Sequence, residues 1–435
     1  MYQKLFYTDF TTQLCSDKSM VAFMLETELA LAKAQEQNGI IPAAIASKLE
    51  PVFQNINIDI EKLKIQIPLA GNVAAPLVKQ LVAAVKKEDS VAAKYIHLGA
   101  TSQDIVDTAT ILKAKDYLAW LFEKVNSLEK NLIELTRQHR QTVMIGRTLM
   151  QQARPITFGL KTASWLQGIR SAKCLLQSAE NQLLCIQLGG AVGSQNQYLT
   201  AAVRQSFAEN LGLKNTPNWH SQRENIAAFA SALGILSGSL GKMAKDIILL
   251  SQTEVGEVFE PAFEGRGTSS TMPHKRNPIL SAAILANAHR IPFLVATILA
   301  AMPQAHERSG GLWHAEWETL DDILGLTAGA VEKAVELLGG VEVNEKRMHQ
   351  NIDQTKGLVF AETVALALAK KLGKQEAHHL IKTACQTSIK ENTHLKTVLK
   401  KRNLGFSEKE LKAFFKPENA IGQSLEIIDE ILAKK

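Results

Sequence analysis

The chain has 435 residues, of which 46% are hydrophobic and 21% charged, and its formal net charge is +6. This length predicts two or three domains or one elongated bundle, because a single hydrophobic core rarely grows so large. The small, dispersed charge suits an acidic small substrate better than a nucleic acid. The one dense basic run, at 400–402, is expected to be a solvated helix end. We find no apolar run long enough to span a membrane and no signal-like N-terminus, so we expect a cytoplasmic protein.

Four cysteines, Cys15, Cys174, Cys185 and Cys385, lie far apart and form no Cys-x-x-Cys pair. This spacing argues against a disulfide framework or a zinc ribbon. It predicts reduced, mostly buried thiols, as in a cytoplasmic protein.

Helical periodicity dominates the chain. Apolar residues recur on one face between residues 18 and 38, and Gly39 with Pro42 ends that pattern. Two later stretches have the sustained three-four spacing of bundle helices. Their apolar positions are Leu118, Leu121, Val125, Leu128, Leu132 and Leu135, then Ile226, Phe229, Leu233, Leu236, Leu240, Met243, Ile247 and Leu250.

The sequence shows no convincing alternating strand pattern and no internal repeat. It therefore predicts an all-α protein with a central bundle of long helices at 106–350, flanked by smaller helical domains at 1–105 and 351–435. Because the apolar stripes are narrow, other helix faces are expected to meet neighbouring subunits.

The stretch 97–107 reads His-Leu-Gly-Ala-Thr-Ser-Gln-Asp-Ile-Val-Asp and precedes a helical pattern. Thr101 and Ser102 place two hydroxyl groups beside a predicted helix N-terminus, where backbone N–H groups and the dipole favour a carboxylate. The alternative is a plain helix cap made by Ser102 or Asp104, with no ligand.

The stretch 265–278 reads Gly-Arg-Gly-Thr-Ser-Ser-Thr-Met-Pro-His-Lys-Arg-Asn-Pro. Such a loop can move as a lid, present a hydroxyl group and grip an anion. Taken by itself, however, the run fits an ordinary connection between helices better.

Together these runs resemble two blocks of the fumarase/aspartase superfamily of lyases. The resemblance implies that Ser269 is the catalytic acid or base, that the Thr101–Ser102 pair binds a substrate carboxylate, and that three blocks from different subunits of a homotetramer meet at each active site. Thr268 stands where the superfamily usually has a glycine, and would stiffen the loop.

The stretch 146–155 departs from that pattern. Many superfamily lyases have a histidine after the threonine, but this chain has Leu149, which cannot move a proton, and Gln152 replaces a second histidine. The change argues against adenylosuccinate or argininosuccinate lyase. Arg147 could bind a carboxylate or only pair with a helix end.

The stretch 306–317 reads His-Glu-Arg-Ser-Gly-Gly-Leu-Trp-His-Ala-Glu-Trp. Its spacing matches no common zinc site. The alternative to a metal site is a turn at a subunit interface with packed tryptophans. The run resembles one branch of the superfamily, the cycloisomerases that lactonise a carboxylated muconate. The glycine-rich run at 189–194 lacks a P-loop ending and is expected to be a tight turn.

The resemblance implies that one substrate carboxylate adds to the substrate's own double bond, with no cofactor and no metal. The predicted substrate is a small tricarboxylate, and neither nucleic acid nor membrane is an expected partner. The predicted catalytic residues are Ser269 and Lys275, and the predicted substrate-binding residues are His97, Thr101, Ser102, Arg147, Gln152, His220, Arg223, Ser270, Asn277 and Arg308. Alternatives are an elimination lyase acting on another succinate-like substrate, such as nitrosuccinate or adenylosuccinate, a non-catalytic scaffold, or a nucleic-acid-binding module.

Overall fold

A computed structural model describes residues 2–263, 265–267, 272 and 274–434. The helices in this part of the chain are α1 (Gln3–Phe6), α2 (Asp9–Leu14), α3 (Asp17–Gln37), α4 (Ile45–Asn55), α5 (Ile60–Ala70), α6 (Ala74–Glu88), α7 (Ser102–Gln138), α8 (Phe158–Leu183), α9 (Ala201–Leu211), α10 (Glu224–Leu250), α11 (Ile279–Ala301), α12 (Leu312–Gly339), α13 (Glu345–Asp353), α14 (Ala361–Leu372), α15 (Lys374–Lys390), α16 (Leu395–Arg402), α17 (Glu408–Phe414) and α18 (Ser424–Ala433). The strands are β1 (Val143–Thr148), β2 (Gln151–Thr157), β3 (Val258–Phe259) and β4 (Glu342–Val343).

The chain divides into two compact units. Unit 1 comprises Met1–Val125, Ala172–Gly238 and Ala286–Glu332, and unit 2 comprises Asn126–Ser171, Ser239–Leu285 and Lys333–Lys435. The core of unit 1 is one large cluster of buried apolar residues drawn from α3 to α7 and from α9. Unit 2 contains smaller clusters, one of them built by α14 to α17. The predicted boundaries at residues 105 and 350 stay a prediction.

The long helices confirm the predicted all-α class. Helix α7 has 37 residues, and α10 and α12 have 27 and 28. Every apolar position of the two predicted stripes is buried. In unit 1, Tyr117 of α7 donates a hydrogen bond to the carbonyl oxygen of Leu324 on α12. In unit 2, the buried hydroxyls of Thr136 and Thr162 join α7 to α8.

The described part of the chain also contains short strands, which the sequence pattern did not indicate. Strands β1 and β2 form an antiparallel hairpin, and β3 pairs with β4. The first three residues of β1 are all buried, so that strand shows no alternation. The hairpin turn consists of Leu149 and Met150, both with positive φ, and not of the Asn-Gly or Asp-Gly pairs that mark such turns in a sequence.

The expectation of mostly buried thiols needs correction, whereas the absence of a membrane-spanning run stays a prediction. By length and composition alone, α10 and α11 are each long and apolar enough to cross a membrane. Core helices pass the same test, and 61% of the most apolar window of α10 is buried, against 28% for α11. Of the four thiols, all free, only Cys185 is fully buried, while Cys174 is exposed.

Candidate active site

Thr101 and Ser102 lie at the start of the longest helix. Helix α7 begins at Ser102, and the backbone N–H of Thr101 donates to Asp104 Oδ2 at 3.0 Å. The free N–H groups of this first turn and the helix dipole favour an anion here. The predicted position at a helix start is confirmed, and the carboxylate-binding role of the two hydroxyl groups stays a prediction.

Asp104 does more than cap this helix. Its carboxylate is completely buried. Besides Thr101, it accepts hydrogen bonds from the backbone N–H groups of Gly189 at 2.8 Å and Gly190 at 2.9 Å, and lies 2.8 Å from His220 Nε2. One carboxylate therefore joins the start of α7, the glycine-rich run and the histidine. It also occupies the backbone N–H groups that a phosphate cradle would need.

His220 is buried and lies against the carboxylate of Asp104. Only 1% of its surface is exposed, and its carbonyl oxygen accepts a hydrogen bond from Gln103 at 3.1 Å. Because Nε2 faces a carboxylate, that nitrogen carries the proton. Nδ1 is buried without a hydrogen-bond partner among the described residues. This geometry gives the predicted contact between His220 and a substrate carboxylate no support.

His97 forms an ion pair inside unit 1. Its Nδ1 lies 2.6 Å from Glu28 Oε1, and the Glu28 side chain is almost fully buried. Burial by itself lowers the pKa of His97, but the charge and hydrogen bond of Glu28 outweigh burial, so the pKa is raised. The Glu28 carboxylate thus favours the charged form of the imidazole, and the hydrogen bond that holds the ring uses Nδ1 and not Nε2.

The glycine-rich run also brings Arg308 to the site. Arg308 Nη2 donates to the carbonyl oxygen of Ala191 at 2.8 Å, while its Nε is buried without an acceptor among the described residues. Asn196, just beyond the run, donates to the carbonyl oxygen of Gly99 at 2.8 Å. Unit 1 therefore brings Arg308 beside the segment that Asp104 ties to α7, and its guanidinium retains N–H groups for an anion.

The guanidinium of Arg223 is paired with two buried carboxylates. Its Nη1 donates to Asp107 Oδ2 at 2.7 Å and its Nε to Glu316 Oε1 at 3.0 Å, and all three side chains are at most 5% exposed. Burial lowers the pKa of Arg223, but the two carboxylates outweigh it and hold the pKa above its ordinary value. Because two buried carboxylates already bind its guanidinium, this geometry gives the predicted contact between Arg223 and a substrate carboxylate no support.

In unit 2 the loop at 265–278 is described in part. Asn277 donates to the carbonyl oxygen of Gly267 through its backbone at 3.0 Å and its side chain at 3.1 Å. Arg276 pairs with Glu342 at 2.8 Å, while the neighbouring Lys275 is exposed. Asn277 thus joins the two ends of the loop, and among its described residues Lys275 is an exposed cation. Thr268, Ser269 and Ser270 lie outside the described residues, and their predicted roles rest on the motif.

Arg147, on the β1–β2 hairpin of unit 2, is bound by a buried glutamate. Its guanidinium makes two hydrogen bonds to the fully buried Glu257, at 2.9 and 2.7 Å. Glu257 also accepts from Asn351 at 2.6 Å. Two roles were open for Arg147, binding a substrate carboxylate or pairing within the protein. The structure favours pairing, and the partner is Glu257 and not a helix end.

The tip of the same hairpin carries no proton-transfer group. Leu149 is 96% exposed and Met150 71%, and both have positive φ, which is costly for residues with a Cβ. Gln152 donates to Gln354 at 3.1 Å. The side chains at the hairpin tip and at Gln152 are therefore apolar or only hydrogen-bonding.

Two sets of functional groups result. Unit 1 holds His97, Thr101, Ser102, His220, Arg223 and Arg308, and unit 2 holds Arg147, Gln152, Lys275 and Asn277. The first set includes a helix start, two hydroxyl groups and the guanidinium of Arg308, and the second includes a lysine and an amide. Among the described residues, no three His, Cys, Asp or Glu side chains are grouped as metal ligands.

Sequence analysis missed Glu28 as the partner of His97 and recognised Asp104 only as a possible cap. The sequence did contain a signal for Asp104, because an acidic residue three positions after Thr101, the residue before the helix, is the pattern of a capping box. Nothing local marks Glu28, because it lies 69 positions from His97.

Comparison with known proteins identifies the family. A family model described as lyase matches residues 4–292, and one described as adenylosuccinate lyase C-terminus matches residues 357–431. The chain belongs to the lyase family. The predicted resemblance to the fumarase/aspartase superfamily is thereby confirmed.

Members of this lyase family resemble the chain along its whole length. It is 44% identical over 440 residues to 3-carboxy-cis,cis-muconate cycloisomerase of Acinetobacter baylyi, covering 99% of this chain and 98% of that protein. The crystal structure of beta-carboxy-cis,cis-muconate cycloisomerase from Acinetobacter calcoaceticus matches with a TM-score of 0.94 and 41% identity over 100% of both chains. Nitrosuccinate lyase of Streptomyces davaonensis is 40% identical over 395 residues, covering 88% of this chain and 83% of that protein.

Proposed function

We propose that the protein is a 3-carboxy-cis,cis-muconate cycloisomerase, which forms 4-carboxymuconolactone in the breakdown of protocatechuate. The observation that carries the proposal is the full-length similarity to cycloisomerases of that name. The anion-binding groups of unit 1 and the exposed Lys275 support it, because the substrate has three carboxylates.

In the proposed reaction, one substrate carboxylate oxygen attacks the substrate's own double bond. A C–O bond forms, and the π electrons move toward the carboxylate conjugated with that bond, giving an aci-carboxylate-like dianion. Ser269 then delivers a proton to the neighbouring carbon, and its alkoxide regains a proton from solvent. Because nucleophile and alkene belong to one molecule, the protein mainly folds the substrate into an attack geometry.

The developing charge needs fixed donors. We assign this task to Lys275 and Asn277 in unit 2 and to Thr101, Ser102 and Arg308 in unit 1. A serine hydroxyl is a weak acid, so an adjacent cation must stabilise its oxyanion, and Lys275 is the candidate.

The hairpin tip fits this chemistry. The attacking carboxylate is already ionised at neutral pH, so no base is needed to activate it. The apolar Leu149 at the position of the superfamily's histidine supports a reaction with a single proton transfer. Elimination from a succinate-like substrate needs a base to remove a proton, and we keep it as the alternative because a nitrosuccinate lyase is also a close relative.

An ultraviolet assay with 3-carboxy-cis,cis-muconate, following loss of the conjugated diene, tests the reaction. We expect turnover by the wild type, none by Ser269→Ala, and a loss in Lys275→Met of about 10²- to 10³-fold in kcat, the magnitude of removing an oxyanion donor. Arg276→Met is the matched control, because that cation is already paired with Glu342. Turnover of nitrosuccinate with no diene loss would replace the cycloisomerase by the alternative.

We further propose a cytoplasmic homotetramer whose active sites combine blocks from different subunits. The exposed apolar side chains of α11, Phe293 at 68% and Leu299 at 47%, support an interface between copies of the chain, as does the exposed hairpin tip.

Mixing two inactive variants tests the shared site. Ser269→Ala and the double variant Thr101→Val, Ser102→Ala damage different blocks. If these blocks come from different subunits, randomly mixed tetramers contain about one quarter intact sites, and about a quarter of wild-type activity returns. Mixtures that stay inactive while exchanging subunits would place both blocks in one subunit.

A further inference from the structure

Helix α3 contacts the segment that leads into α7 at two places. Glu28 Oε1 lies 2.6 Å from His97 Nδ1, and the side-chain amide of Gln35 donates a hydrogen bond to the carbonyl oxygen of Leu98 at 2.8 Å. Glu28 and Gln35 are two helical turns apart, so both lie on one face of α3. The segment that precedes the start of α7 is therefore held from a single helix.

The backbone of this segment is constrained as well. His97 has a φ of 60° and Gly99 a φ of 76°. Both values lie in the left-handed region, which costs free energy for a residue with a Cβ such as His97. Such a conformation persists only where the surrounding contacts impose it. The turn and the two side chains of α3 together fix the position from which the imidazole projects.

Glu28 is a buried carboxylate that depends on His97. Its side chain is 1% exposed, against 20% for that of His97. The second oxygen, Glu28 Oε2, is buried without a hydrogen-bond partner among the described residues. Because a buried charge needs a counter-charge to offset its lost hydration, this environment favours the imidazolium form of His97.

The charged groups around His97 favour the same form. Burial lowers the pKa of His97, but the negative charges of Glu28 on α3 and Asp104 on α7 outweigh burial and raise it. Glu28 uses Nδ1 of the ring, and Nε2 has no hydrogen-bond partner in the described part of the chain. In the imidazolium form Nε2 carries a proton. His97 therefore presents one charged N–H group, four residues before Thr101.

We propose that Glu28 is a positioning residue for the reaction, which keeps His97 as an imidazolium whose Nε2–H donates to a carboxylate of the substrate. The proposal rests on the cycloisomerase assignment for the identity of that substrate. The nearby start of α7 favours an anion in the same part of unit 1. Glu28 itself does not contact the substrate. Its effect passes through the charge of His97, because a charged donor binds a carboxylate more strongly than a neutral one.

Calorimetric titration of the full-length protein with propane-1,2,3-tricarboxylate, an unreactive tricarboxylate, tests the proposal from mildly acidic to alkaline pH. The wild type should lose affinity as the pH rises through the pKa of His97. Glu28→Gln keeps the shape of the side chain but removes its charge, so His97 should lose its proton at lower pH. Between the two pKa values the variant should bind about 10- to 100-fold more weakly, as expected for the loss of a charged hydrogen bond. At more acidic pH the two proteins should bind alike.

A purely structural role of Glu28 predicts a different result. Glu28→Gln would then weaken binding by the same factor at every pH, and this outcome would overturn the proposal. Comparison at equal pH cancels the ionisation of the ligand. Glu26→Gln is the matched control, because it removes an acid of the same helix whose charge acts on Asp116 and Lys115, and it should follow the wild-type profile. A wild type that does not bind the tricarboxylate at any pH would also refute the proposal.

Two further measurements separate this proposal from the assigned reaction. In a His97→Gln background, Glu28→Gln should weaken binding by less than about twofold more, because its effect passes through His97. An NMR titration of wild-type His97 needs neither ligand nor turnover, and a pKa at or below the ordinary value would contradict the imidazolium. If both measurements and the binding profile are as expected but the diene assay shows no turnover, the cycloisomerase assignment fails, while Glu28 keeps its role toward another polycarboxylate.

Discussion

Replacing Arg223 by methionine should destabilise the protein far more than it impairs substrate binding. The guanidinium is 3% exposed and is held between Asp107 and Glu316, at 2.7 and 3.0 Å. Methionine fills a similar volume but leaves two buried carboxylates without their counter-charge. Removing one member of a buried ion network in this way costs about 3–5 kcal/mol.

The loss should depend on pH. Burial already raises the pKa of Glu316, although Arg223 opposes it, and without the arginine this pKa rises further. A carboxyl group whose pKa is raised on folding contributes stability at low pH, which is lost as the pH rises through its folded-state pKa. The difference between Arg223→Met and the wild type should therefore be smaller under mildly acidic conditions than at alkaline pH.

Thermal and urea unfolding at one fixed protein concentration measure the effect. Lys48→Met, which removes an exposed partner of Asp89, is the matched control and should leave the midpoint unchanged within error. The double variant Arg223→Met, Glu316→Leu should recover part of the loss, because one of the two stranded charges is gone. An Arg223→Met protein with wild-type stability and a strongly raised KM would refute the argument and restore Arg223 as a substrate ligand.

Three further changes probe the site of unit 1. Asp104→Asn turns an NH₂ group toward backbone N–H donors and should cost about 2–5 kcal/mol of unfolding free energy in urea titrations; wild-type stability would contradict the buried hydrogen-bond network. Gly99→Ala meets two side-chain atoms of the turn at 196–198 at 2.8 Å and keeps a φ of 76°, so we expect a loss of about 2–3 kcal/mol in the same assay; a neutral effect would mean that the turn gives way. Glu28→Gln removes the charge that raises the pKa of His97, so this pKa should fall in an NMR titration. The stability that the ion pair contributes is fully present below the unfolded-state pKa of His97 and is lost as the pH rises through the folded-state pKa, and the variant should lack this dependence.

Helical architecture was predictable because its signal is local. Apolar residues three and four positions apart lie on one face of a helix, independently of the rest of the fold. Every position of the predicted stripes in α7 and α10 is buried. The hairpin was missed for a local reason as well. Its turn uses Leu149 and Met150 where glycine or asparagine would have given the signal, and its first strand is buried without alternation.

The sequence by itself determined the family and the residue types of the site, since Thr101 and Ser102, Lys275 and Leu149 stand within short, recognisable runs. Which of the charged residues remain free was decided only by the tertiary structure. Arg223 pairs with residues 93 and 116 positions away, and Arg147 with one 110 positions away. The sequence alone does not distinguish an arginine that is paired inside the protein from one that can bind an anion. In the folded chain, a distant carboxylate neutralises the first kind. Arg308, in contrast, retains N–H groups for an anion.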